Sequence, residues 1–225
     1  MAKTSYKNAA KGVGRLFGAQ IMMLLSTIAI GVAGIIMQLN GGAEAFTAIS
    51  VDNIPAWAGA TMACGLAGLI IMLIALCVEL SGLYRAGKDN GKFKTAFALT
   101  IFVFIAQIAL SVLTNTWPDV FTERVKEIAD AGISGVMLVI AYYTIMGGVE
   151  LLEKRSEKKT AMLGRRVWAI YIVAILVMLA ACLLLVVPNI PAEIGCALAV
   201  IAALAEVFGG ICYLVFLGKA KNRLA

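Results

Sequence analysis

Three carboxylates stand in this sequence where a carboxylate is expensive: Glu206, Glu79 and Glu150 each lie inside or at the edge of a long apolar run. Glu206 falls near the middle of the run 194–217, a depth at which an ionised acid costs about 3 kcal/mol on insertion scales. Ala199, Ala202, Ala203, Gly209, Gly210 and Tyr213 recur around it at helical spacing, so it shares a face of small residues against which another helix packs closely. Glu79 shares a comparable face with Gly68, Ala75 and Gly82, and Glu150 with Tyr143 and Gly147.

A carboxyl set at that depth without a cation beside it can hold and release a proton or coordinate a cation, the chemistry that ion-coupled transport uses. Gln107, Tyr142, Tyr143, Thr144 and Thr27 are the polar groups at the depth of Glu206, and no Lys or Arg lies among them. The expected constellation is Glu206 with Gln107 and Tyr143 as a proton or cation site, and Glu79 with Glu150 at its cytoplasmic mouth. The plainer alternative has Glu206 as a neutral acid hydrogen-bonding two helices, with Glu79 and Glu150 reaching the interface. Glu150 already has Lys154 four residues on as a surface partner.

Catalysis has less to work with. The chain contains no His, which removes imidazole acid-base chemistry and imidazole metal ligation. Cys64, Cys77, Cys182, Cys196 and Cys212 are odd in number, all within apolar runs, and form no CxxC pair. No Gly-rich phosphate loop or serine nucleophile elbow occurs. The expectation is therefore a protein that is not an enzyme, with no cofactor and no metal site.

The elements that position these acids are membrane spans. Hydrophobic residues make up 62% of the 225, charged residues only 14%, and mean hydropathy is +0.95, far from the composition of soluble domains. Six apolar runs, 16–37, 56–78, 96–113, 133–149, 167–187 and 194–217, are each long enough to cross a bilayer or nearly so. The first exceeds a cleavable signal in length and is expected to be retained. The fold class that follows is an all-α integral membrane protein, one transmembrane domain over residues 1–225 with six transmembrane helices.

All but two of the 19 Lys and Arg residues, Arg124 and Lys126 being the exceptions, fall in residues 1–15, in the connections after the second and fourth runs, or in the tail. Positive charge is retained on the cytoplasmic side, so both termini are expected to be cytoplasmic in a cell membrane. The net charge of +6 is then a topology signal and implies no nucleic-acid partner. Residues 1–15 carry Lys3, Lys7, Lys11 and Arg15 on one stripe side and Tyr6, Ala9, Ala10, Val13 and Phe17 on another. That pattern fits a basic amphipathic segment in the lipid interface, its cations on anionic headgroups; a plain positive-inside flank with no ordered helix is the alternative.

Internal similarity divides the runs into pairs. Asn53-Ile54-Pro55-Ala56 returns as Asn189-Ile190-Pro191-Ala192, each before an apolar run, and Asn with Pro is a helix-entry signal. Gly14-Arg15, Gly91-Lys92 and Gly164-Arg165 open the odd-numbered runs, and Gly59 to Gly91 and Gly132 to Gly164 are both intervals of 32 residues. These matches predict three tandem helical hairpins, about 14–85, 91–155 and 164–218, related by a parallel internal repeat. The Asn-Ile-Pro phrase is not the aquaporin Asn-Pro-Ala box, since Ile54 and Ile190 intervene. Within 114–131, Thr116, Pro118, Phe121, Val125 and Ile128 predict a separate short amphipathic helix on the outer leaflet. The function expected is a small permease, channel or ion-coupled carrier for a small solute or cation. A membrane scaffold or accessory subunit that transports nothing is the alternative.

Overall fold

The computed structural model describes residues 6–47, 54–117, 123–186 and 192–225, without certain side chains inside the helices, Glu206 among them. Among the described residues the chain is helical and has no strand. The helices are α1 (Lys7–Leu39), α2 (Gly42–Thr47), α3 (Ala56–Gly87), α4 (Gly91–Thr116), α5 (Glu123–Lys154), α6 (Lys158–Val186) and α7 (Ala192–Leu224). Five of them, α1 and α3 to α6, contain stretches long and apolar enough to cross a membrane. A multi-pass helical membrane protein accounts for them, since only closed hydrogen bonding within the segment lets a backbone sit in lipid.

Each long helix outruns the apolar run that announced it, because charged residues with good helix propensity flank the runs and no Pro interrupts them. Two sequence expectations change as a result. Residues 7–15 are the first turns of α1 rather than an element of their own, and their stripe of Ala9, Ala10 and Val13 is 0%, 7% and 1% exposed. Protein, not lipid, covers that stripe. Likewise Val125 and Ile128 do not belong to a separate short helix among the described residues: Glu123–Lys154 is one continuous helix on which both stand exposed. Pro118 and Phe121 lie outside the described residues, as do Asn53 and Asn189. Pro55 precedes the first residue of α3, and its carbonyl accepts from the N–H groups of Ala58 and Gly59 at 3.0 and 3.1 Å.

The chain divides into two compact units, Arg15–Ser81 and a second made of Met1–Gly14 with Gly82–Ala225. In the first unit α1 and α3 run antiparallel. The Ser26 hydroxyl donates to the Gly68 carbonyl at 2.8 Å, and farther along Arg15 bonds the Ser81 hydroxyl. Gly68 permits the approach, for a Cβ there would lie 2.7 Å from Ile30 Cγ1.

In the second unit the core gathers where α4 and α6 begin and α5 and α7 end. Phe93, Leu151, Leu152, Val167, Phe216, Leu217 and Leu224 are fully buried there. Glycines make room for the rings. A Cβ on Gly147 would sit 2.9 Å from the Phe93 ring, and one on Gly164 would sit 2.7 Å from the Phe216 ring, which also touches the Gly148 position. The sequence marks Gly164 as a helix entry; its packing role is to seat Phe216. Consecutive helices again pack antiparallel, α4 on α5 and α6 on α7, the latter through Tyr171 and Tyr213 with ring centroids 6.5 Å apart. Asn90 caps α4 by accepting from the Lys92 N–H at 2.8 Å, which satisfies one of the orphan donors of a helix start.

Candidate functional site

Helix α3 places Glu79 one turn beyond Ala75, which is fully buried, and one turn before Leu83, also fully buried. Its carboxylate is half-buried and, among the described residues, has neither an ion-pair nor a hydrogen-bond partner. The nearest cation in sequence on the facing helix, Arg15, is committed to Ser81. A hollow of about 530 Å³ beside α1 and α3 is lined by Arg15, Leu73, Ile74, Cys77, Val78 and Ser81. Those α3 residues lie on the side of the helix away from Glu79, so the hollow does not reach the acid.

Glu150 has the opposite fate. It ends α5 beside the start of α4, where its oxygens meet Lys92 Nζ at 3.4 Å and Lys154 Nζ at 2.9 Å. More than a third of each of these side chains is exposed, so the pairs are screened and stabilise little. The two acids assigned by sequence to one cytoplasmic mouth are therefore in different states, one neutralised at the surface and one without a partner.

The proposed partners of Glu206 are dispersed. Gln107 continues the stripe Phe93, Ala96, Thr100 and Val103 that α4 turns to its neighbours, yet Gln107 itself is exposed, because packing runs out one turn after Val103. Tyr143 is half-buried and stacks edge-on with Tyr142, centroids 5.5 Å apart; Tyr142 in turn meets Trp168 at 5.2 Å. No hydrogen bond joins Gln107 to Tyr143 among the described residues. Thr144 and Thr27 donate to the Ile140 and Met23 carbonyls of their own helices, so their hydroxyls are satisfied locally. Glu206 belongs to α7, but its side chain lies outside the described residues.

Of the cations expected on headgroups, Lys7 and Lys11 are exposed, Arg15 is bound to Ser81, and Lys3 lies outside the described residues. Two polar features escaped the sequence reading. Asp89, in the turn after α3, bonds the start of α1 through the Ala9 N–H at 2.7 Å and the Asn8 amide at 3.2 Å. The second is a basic hollow between α6 and α7 around Thr160. The Asp89-Asn90-Gly91 turn signal was legible, but its long-range partner was not.

No protein-family model, curated protein or solved structure matches the chain. Its function has to be argued from its own residues.

Proposed function

We propose that this chain is a six-span protein of the cell membrane, built as three tandem hairpins with a parallel internal repeat and both termini cytoplasmic. In this reading it carries a small solute or cation, and it is not an enzyme. The observation that carries the proposal is Glu79, a half-buried carboxylate with no cation and no donor among the described residues, on a helix apolar enough to span a membrane. An acid kept in such a place costs stability unless it binds something. Glu206, central in the run 194–217, is the second acid of the pathway, with Gln107 and Tyr143 as the polar groups at its depth. Glu150, tied to Lys92 and Lys154, acts at the mouth as part of a surface ion-pair cluster. The orientation is supported by charge. The start of α1, the end of α3, the starts of α4 and α6 and the ends of α5 and α7 carry 17 of the 19 Lys and Arg with their flanking turns and are the ends expected to stay in the cytoplasm.

The test is proton and cation flux into liposomes holding the native chain, Glu79→Gln or Glu206→Gln. Flux that falls in both variants supports the reading; flux equal in all three, or absent from the native chain, overturns it. One observation favours the second reading, a scaffold or accessory subunit without transport. The span hydroxyls of Thr27, Thr61, Thr100, Thr114 and Thr144 all close on carbonyls of their own helices rather than lining a polar path.

A further inference from the structure

Lys159 and Arg166 stand two turns apart on one face of α6, and Lys219 and Arg223 one turn apart on α7. Between them lies a hollow of about 380 Å³ in which these four cations converge. Arg223 is 3.7 Å from Glu157, while Lys159, Arg166 and Lys219 have no ion-pair partner among the described residues. Thr160, only 7% exposed, lines the same hollow and brings a hydroxyl to it. Like charges gathered around one hollow without a counter-ion repel one another and cost stability. That cost is relieved if an oxyanion sits among them, because the cations and the Thr160 hydroxyl can then donate to it.

The structure assigns this hollow to the phosphate of an anionic phospholipid headgroup. Phosphate oxygens are the shared chemistry of a lipid headgroup and of free phosphate, and two features select the lipid. Met162, 56% exposed, and Leu163 form an apolar edge to the same hollow. From that edge the exposed apolar side chains Ile172, Val173 and Leu176 continue along α6 into its membrane-spanning stretch, a track for acyl chains. A basic pocket between two spanning helices, at the level where the spans end, is where anionic headgroups are held. The inference requires only that α6 enters the membrane and is independent of transport.

The test uses the full-length chain purified in a neutral detergent, with bound lipid read by native mass spectrometry. The probes are phosphatidylglycerol, phosphatidylcholine and inorganic phosphate. The triple variant K159Q/R166Q/K219Q should lose phosphatidylglycerol affinity by about tenfold or more, and Thr160→Val, which keeps the shape, by roughly threefold. The triple variant R85Q/K88Q/K94Q removes the same charge elsewhere and should retain binding. If the first triple variant fails to fold by circular dichroism, Thr160→Val and Lys219→Gln alone decide. Unchanged affinity in the pocket variants, an equal loss in both triples, or equal binding of phosphatidylcholine would overturn the site. Displacement of the lipid by millimolar inorganic phosphate would overturn the lipid assignment.

Discussion

The carboxylate of Asp89 accepts a hydrogen bond from the backbone N–H of Ala9 at 2.7 Å, across 80 positions of sequence. It also accepts from the Asn8 amide at 3.2 Å. A negative group on free N–H donors at a helix start is stabilising both as a cap and against the helix dipole. This one acid therefore joins the turn between α3 and α4 to the beginning of α1. Asp89→Ala should destabilise the protein by about 1 to 2 kcal/mol, and Asp89→Asn by less, as read from thermal unfolding in detergent. An unchanged midpoint in Asp89→Ala would refute the cap.

Close packing of α1 on the end of α3 makes a second prediction. A Cβ on Gly12 would lie 2.6 Å from the Gly82 carbonyl oxygen and 2.7 Å from the Ala86 nitrogen, and backbone cannot step aside as a side chain can. Gly12→Ala should cost roughly 1 to 3 kcal/mol or more. Gly18, one and a half turns on, has nothing within 4 Å of its Cβ position. There the same change should be neutral or stabilise by up to about 1 kcal/mol, since Ala is the better helix former. Equal effects at the two positions would contradict the packing.

Ser156 ends α5 in the left-handed region, at φ 63°. The Glu157 N–H reaches back to the Leu152 carbonyl at 2.9 Å, closing the last turn in the manner of a Schellman cap. A side chain in that conformation is strained, and glycine is not. Ser156→Gly should therefore raise stability by roughly 0.5 to 1 kcal/mol, measured by unfolding, whereas Ser156→Val should lower it.

Glu150 and Glu79 provide the sharpest contrast for function. Glu150→Gln removes two screened surface pairs and should change stability by less than about 1 kcal/mol, leaving liposome flux near that of the native chain. Glu79→Gln removes a half-buried carboxyl that has no partner among the described residues, so it should leave the protein at least as stable while reducing flux. Instability of Glu79→Gln would point to a structural partner for this acid and count against its proposed role.

The class of the fold was legible because it is written in composition: helices α1 and α3 to α6 follow apolar runs whose length alone lets them cross a bilayer. Helix ends were less legible. The sequence placed boundaries where hydrophobicity stops, but helices stop where capping and backbone geometry end them, as at Asn90 and Ser156. The stripe of Ala9, Ala10 and Val13 shows the limit well. Its periodicity identified an amphipathic face, and periodicity carries no information on whether lipid or protein meets that face. Asp89 and the neighbouring helix end answered the question.

For the acids, the sequence by itself determined which residues are costly, since a carboxylate in an apolar run is anomalous wherever the chain folds. Only the tertiary structure decided which cost is relieved. Glu150 lands beside Lys92, 58 positions away, because α4 and α5 pack antiparallel, while Glu79 meets no such cation. The basic hollow around Thr160 has the same origin. Its cations come from two helices and are separated by more than 50 positions between one helix and the other, and local spacing can place residues on a face but cannot bring two faces together.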